Sequence, residues 1–84
     1  MGTEERVRSL ASKLLSRGVT PLKIDEGSEL IDPVIWITES IYLQVGSDYV
    51  VVFRSRSAGL AMYSSSMLIN DVMAKLRQAI DEGK

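Results

Sequence analysis

Residues 41–66, IYLQVGSDYVVVFRSRSAGLAMYSSS, decide the fold, because their aliphatic side chains recur at every second position. A period of two belongs to strands whose two faces meet different surroundings. Three strands are read here, over residues 41–45, 48–55 and 60–64. Gly46-Ser47 fits a two-residue type II′ hairpin loop, in which the leading glycine supplies a positive φ. Arg56-Ser57-Ala58 followed by Gly59 fits a three-residue loop closed by a left-handed glycine.

Working outward, residues 34–37 (VIWI) form a β-branched and aromatic strand. Pro33 opens it, where its missing N–H matters least. Thr38-Glu39-Ser40 turns this strand onto residue 41. Residues 22–24 make a short first strand, and residues 25–32 (DEGSELID) read as a loop.

These loop lengths fix the registers. Trp36 is expected opposite Tyr42, Leu43 opposite Val50, Ile41 opposite Val52, Leu60 opposite Arg54 and Met62 opposite Val52. All five aromatics (Trp36, Tyr42, Tyr49, Phe53 and Tyr63) then share one face. The other face collects Ile35, Ile37, Ile41, Leu43, Val45, Val50, Val52, Leu60 and Met62. A one-residue slip in either outer turn would carry that strand's side chains to the opposite face.

Helices flank the meander. Over residues 4–17, Val7, Leu10, Ala11 and Leu14 repeat at i, i+3, i+4 and i+7, with Leu15 widening the stripe. Thr3 is the expected N-cap, Glu4 and Arg8 an i,i+4 pair, and Gly18 the C′ residue. Over residues 68–81, Ile69, Val72, Met73, Leu76 and Ile80 form a second stripe. Ser66 or Asn70 is its expected cap, and Asp71 and Lys75 pair at i,i+4. The expected fold is an α+β two-layer sandwich in one domain, residues 1–84. An antiparallel four- to five-stranded meander carries both helices on its aliphatic face, in the order α-β-β-β-β-β-α. One helix on each face, which would bury the rings, is the alternative.

Composition narrows the chemistry. The chain has 84 residues and neither cysteine nor histidine. Disulfides, thiol chemistry, the commonest general base and the commonest transition-metal ligand are therefore missing. A net charge of −1 argues against a surface built to neutralise phosphates. No apolar run reaches signal or membrane-span length, which makes a cytoplasmic location the expectation.

Each candidate site has a plain structural counterpart. Asp25, Glu26, Glu29 and Asp32 are oxygen ligands whose spacing matches no known metal loop, so a solvated loop is preferred. Arg54 and Arg56 have the bidentate chemistry of an anion clamp, but charges at a strand end also keep edges soluble. Arg54 is expected to turn toward the helices and meet a carboxylate of the second one. Ser64-Ser65-Ser66 is read as a helix-capping connection rather than an anion site.

No catalytic, cofactor or metal residue is assigned, and no enzyme is expected. The expected function is a protein-interaction module, a homodimer or the partner of another protein. Its contact face would be Trp36, Tyr42, Tyr49, Phe53 and Tyr63. The alternative is a small-ligand, nucleotide or single-stranded nucleic-acid module that combines this face with Arg54. The acidic balance and the lack of basic companions weigh against nucleic acid.

Overall fold

The heptad-like stripe of the N-terminal segment folds as α1 (Thr3–Ser16), with Val7, Leu10, Ala11 and Leu14 buried. Glu4 and Glu5 occupy its first turn and Lys13 its last, matching the helix dipole. Glu4 and Arg8 make the expected ion pair. Gly18 takes φ +82° and Val19 N–H closes on Leu14 C=O at 2.9 Å, ending the helix at the expected glycine. Leu15 lies outside the stripe and is exposed.

The computed structural model describes residues 3–57 and 59–83. The Thr3 side chain, the expected cap of α1, and Ala58 in the expected last hairpin loop lie outside that description. Five strands follow α1: β1 (Lys23–Asp25), β2 (Val34–Trp36), β3 (Ile41–Val45), β4 (Tyr49–Arg56) and β5 (Gly59–Ser66). They form one antiparallel sheet in sequence order, β1-β2-β3-β4-β5. The second helix, α2 (Ile69–Glu82), completes the chain.

Both helices pack on one sheet face. Val7, Leu10 and Leu14 of α1 and Val72, Leu76 and Ala79 of α2 join Ile35, Ile41, Leu43, Val45, Val50 and Val52 in one core. These aliphatics sit at alternate strand positions, so burying one face leaves the other uncovered. Ala79 is buried where Ile80 was expected, and Ile80 is 42% exposed. The final turn of α2 thus presents its neighbouring residue to the sheet.

The three hairpins behave differently. Between β2 and β3 the register is as expected, with Trp36 opposite Tyr42. Thr38 Oγ1 accepts the Ser40 and Ile41 N–H groups at 3.2 and 3.1 Å and stabilises that turn. Between β3 and β4 the loop is Ser47-Asp48, and Gly46 N–H bonds Tyr49 C=O at 2.9 Å. Leu43 therefore faces Val52, and Ile41 faces Arg54, rather than Val50 and Val52. A shift of two positions keeps every side chain on its expected face. Gly46 does not adopt the positive φ expected of it. Its role is spatial: a Cβ there would come within 2.3 Å of the Tyr49 ring.

The last hairpin changes faces. Arg56 pairs with Gly59, so the loop is one residue shorter than expected, and Val52 faces Tyr63 while Phe53 faces Met62. Gly59 retains a positive φ, at +132°. Leu60 and Met62 consequently lie on the open face, and Tyr63 lies on the helix face, where it packs against the core. The expectation that Tyr63 joins the other rings, with Leu60 and Met62 among the buried aliphatics, is corrected. An odd register shift reverses every side chain of a strand.

The start of α2 is also corrected. Ser64, Ser65 and Ser66 belong to β5 rather than to a capping connection, and the N-cap residue is Leu68, which makes no side-chain cap bond. Ser66 Oγ accepts the Leu68 N–H at 3.3 Å, and from inside the first turn Asp71 reaches back to β5. Its Oδ2 takes the Ser66 N–H at 2.7 Å and the Ser65 hydroxyl at 3.2 Å. Asn70 Oδ1 instead accepts Arg17 Nη2 at 2.7 Å, tying the end of α1 to the start of α2.

Candidate functional site: the open sheet face

Registers across four strand pairs place one side chain from every strand in a single row. Lys23 faces Trp36, Trp36 faces Tyr42, Tyr42 faces Phe53 and Phe53 faces Met62. Side chains directly opposite one another on antiparallel strands interact most strongly, so the row is a packed unit. The Trp36 and Tyr42 ring centroids are 4.7 Å apart and tilted, while Tyr42 and Phe53 stack at 4.9 Å. Lys23 Nζ sits 5.3 Å from the Trp36 centroid, within cation–π range. All three rings are half-buried, sheltered by one another rather than by a helix.

Met62 and Leu60 extend the apolar surface toward the β5 edge, at 63% and 56% exposure. Val34 and Val51, both half-buried, flank the row. Tyr49 lies on the same face but away from the row, over Gly46, with its hydroxyl 3.3 Å from Asp32 Oδ2. Gln44 Nε2 donates to the same Asp32 oxygen at 3.2 Å. The structure therefore brings together Trp36, Tyr42 and Phe53 of the expected contact residues, sets Tyr49 at the margin and removes Tyr63. Met62 was missed. Its signal was the length of the β4–β5 loop.

Arg54, Arg56 and Tyr63 converge elsewhere, on the C-terminal end of α2. Arg54 Nη2 donates to Glu82 C=O at 3.3 Å, and its guanidinium lies against Gly83. Arg56 Nη2 is 3.8 Å from Glu82 Oε2, and the Tyr63 hydroxyl donates to the same carboxylate. Cations and donors at a helix C-terminus complement its partial negative charge. Arg54 was expected to meet a carboxylate of α2; it meets a backbone carbonyl, and Arg56 takes the carboxylate. The Tyr63 hydrogen bond, followed by that of Gln78 and the two arginine charges, holds the Glu82 carboxyl below its usual range. Bonds from Ser66, its backbone N–H first, do the same for Asp71, with Ser65 and the charge of Lys75 adding to them. Lys75 acts there at a distance, because Asp71 is turned to the serines. Both groups therefore serve the attachment of α2.

The acidic loop is likewise occupied structurally. Asp25 Oδ1 accepts Gly27 N–H at 3.0 Å, Glu26 lies 3.9 Å from Arg8, and Asp32 holds Gln44 and Tyr49. Among the described residues no group of acids is gathered closely enough to hold a metal ion. A hollow of about 420 Å³ between α1 and the β5–α2 connection is lined by Arg6, Ser9, Leu10, Lys13, Ser47 and Met67. A shallower one of about 280 Å³ beside the row is lined by Leu22, Lys23, Trp36 and Glu39. Neither brings two carboxylates together, the arrangement that acid–base hydrolysis without histidine would use. Among the described residues no helix is long and apolar enough to cross a membrane.

No family model, curated protein or solved structure matches the chain.

Proposed function

We propose that the chain is a small protein-interaction module that self-associates by laying the open sheet face of one copy on that of another. The observation that supports this reading is the Trp36–Tyr42–Phe53–Met62 row, continuous across the sheet and uncovered by either helix. Tyr and Trp suit surfaces that are wet in one state and dry in another, and they dominate the energetic centres of interfaces.

Charge placement favours a second copy as the occupant. β3 is the middle strand of five, so a two-fold axis running along it stacks the two faces without overhang. Trp36 of one copy then lies over Phe53 of the other, and the two Lys23 ammonium groups fall at opposite edges. Arg54, on the helix side, is not available to a ligand on this face, which leaves the nucleotide reading without its cation. A cytoplasmic setting is part of the same proposal and rests on composition alone.

Trp36→Ala tests it. Solution mass by light scattering at two concentrations is expected to show association weakened about thirtyfold, the effect of losing a contact worth about 2 kcal/mol. A chain that keeps its wild-type mass, with its thermal melt unchanged, would sink the reading.

A further inference from the structure

The two edges of the sheet are built unlike one another. β1 is three residues long, carries Lys23 and Asp25, and follows Pro21. Shortness, charge and proline are the devices that keep an edge from pairing with another chain. β5, the other edge, is eight residues long, and its sequence GLAMYSSS contains no charge and no proline.

The free hydrogen-bonding groups of β5 follow from the ladders. Gly46 N–H bonds Tyr49 C=O and Ser55 N–H bonds Ser40 C=O, so Tyr49, Val51, Phe53 and Ser55 point their backbone groups toward β3. Alternation along an antiparallel strand then turns Val50, Val52, Arg54 and Arg56 toward β5. Their partners Ser65, Tyr63, Ala61 and Gly59 turn back toward β4. Leu60, Met62, Ser64 and Ser66 point outward. Ser66 is already engaged, its N–H by Asp71 and its C=O by the Ser65 hydroxyl. Leu60, Met62 and Ser64 have no partner for either group among the described residues.

We propose that this edge pairs with β5 of a second copy, antiparallel, about a two-fold axis perpendicular to the sheet and centred on Met62. The register is dictated by the free groups. Only with Met62 opposite its own copy does Leu60 meet the partner's Ser64, so that all the outward N–H and C=O groups pair at once. On the helix face the same register sets Tyr63 against the partner's Ala61, large against small. A strand that meets itself across a two-fold axis also meets its own charges, and β5 has none. On the open face, the two rows join end to end through Met62.

This goes beyond the face contact of the proposed function, because faces stack copies whereas edges join them side by side. A chain using both contacts grows past two copies. The test is amide hydrogen exchange together with mass, on wild type, Ser64→Pro, Trp36→Ala and the double variant. Proline is tolerated where an edge N–H points to solvent, so Ser64→Pro blocks pairing and spares the fold. The expected result is protection of the Leu60, Met62 and Ser64 amides that rises with concentration; in Ser64→Pro, which has no amide at position 64, Leu60 and Met62 should lose theirs. Wild type should exceed two copies, each single variant should stop at two, and the double variant should remain one chain.

A wild type that stops at two copies, with the three amides protected and Trp36→Ala silent, keeps the edge contact and removes the face contact. Associated wild type whose three amides exchange as freely as loop amides overturns the edge contact alone. A wild type that is a single chain at every concentration overturns both, and leaves the edge to a strand of another protein.

Discussion

The two faces of this sheet are made of the same strands and differ in almost every physical respect. On the helix side, Ile35, Leu43, Val45, Val50 and Val52 are fully buried, and each is held by neighbours from two layers. On the open side, Trp36, Tyr42 and Phe53 are only half-covered, and what covers them is mostly one another. Aliphatic side chains, which hold no polar atom, fill the dry side. Trp36 and Tyr42, with wide surfaces and a polar tip, take with Phe53 the side that meets water in a single chain. The difference teaches that burial is concentrated on one face, which leaves the other free for the contact proposed above.

The division is broken most directly by truncating one residue on each side. Leu43→Ala removes a buried side chain from the central strand and leaves a cavity in the core, at a cost of about 2–5 kcal/mol. Met62→Ala removes a side chain of similar size from the exposed end of the row, and in a single chain it should cost no more than about 0.5 kcal/mol. Urea denaturation at a concentration where the chain is unassociated measures both. Equal losses would mean that the open face is as much a core as the closed one.

A smaller effect separates the helix attachment from the open face. Asp71 and Glu82 sit at opposite ends of α2, and both are held below their ordinary carboxyl range, chiefly by Ser66 and by Tyr63 respectively. A group whose folded pKa is depressed stabilises the fold above its unfolded pKa, and that contribution is lost as pH falls through the folded value. The melting temperature should therefore decline as pH is lowered below roughly 4. Asp71→Asn should lower it near neutrality and flatten the decline. Glu82 is exposed and Asp71 only half-buried, so the effect is modest and weakens with salt. Association through the open face should not follow the same profile, since neither group lies on that face. A mass that changed in step with the melt would show that the helix layer and the open face are coupled.

Much of this arrangement was legible in the residues. The α1 stripe, its glycine stop, the β2–β3 register and the helices' shared face all follow from local spacing and apolar pattern. The β3–β4 loop was misplaced without consequence, because a slip of two conserves the faces. The β4–β5 loop was misplaced by one, and that single residue decided where Leu60, Met62 and Tyr63 point. Apolar burial by itself favours the opposite choice. In the structure Tyr63 lies on the helix face instead, with its hydroxyl on Glu82 at the far end of α2, a long-range contact that no local pattern encodes. The role of Asp71 was hidden for a related reason: it reaches back into β5, so its partner lies in another element. Row and edge alike became visible only once that register was known.

Gly46→Ala sharpens the comparison at its finest scale. The added Cβ would come within 2.3 Å of the Tyr49 ring, an overlap that something must relieve. On the helix side such an overlap has no exit, since every neighbour is packed from two layers. Here the obstacle is an exposed ring anchored by one long hydrogen bond, from its hydroxyl to Asp32 at 3.3 Å. The ring should swing into solvent, releasing Asp32 to Gln44 alone and leaving the backbone in place. The expected stability loss is within about 1 kcal/mol, and the Tyr49 ring resonances should shift toward those of a free tyrosine. Several kcal/mol lost, with the ring unmoved, would mean that this corner of the open face is packed as tightly as the core.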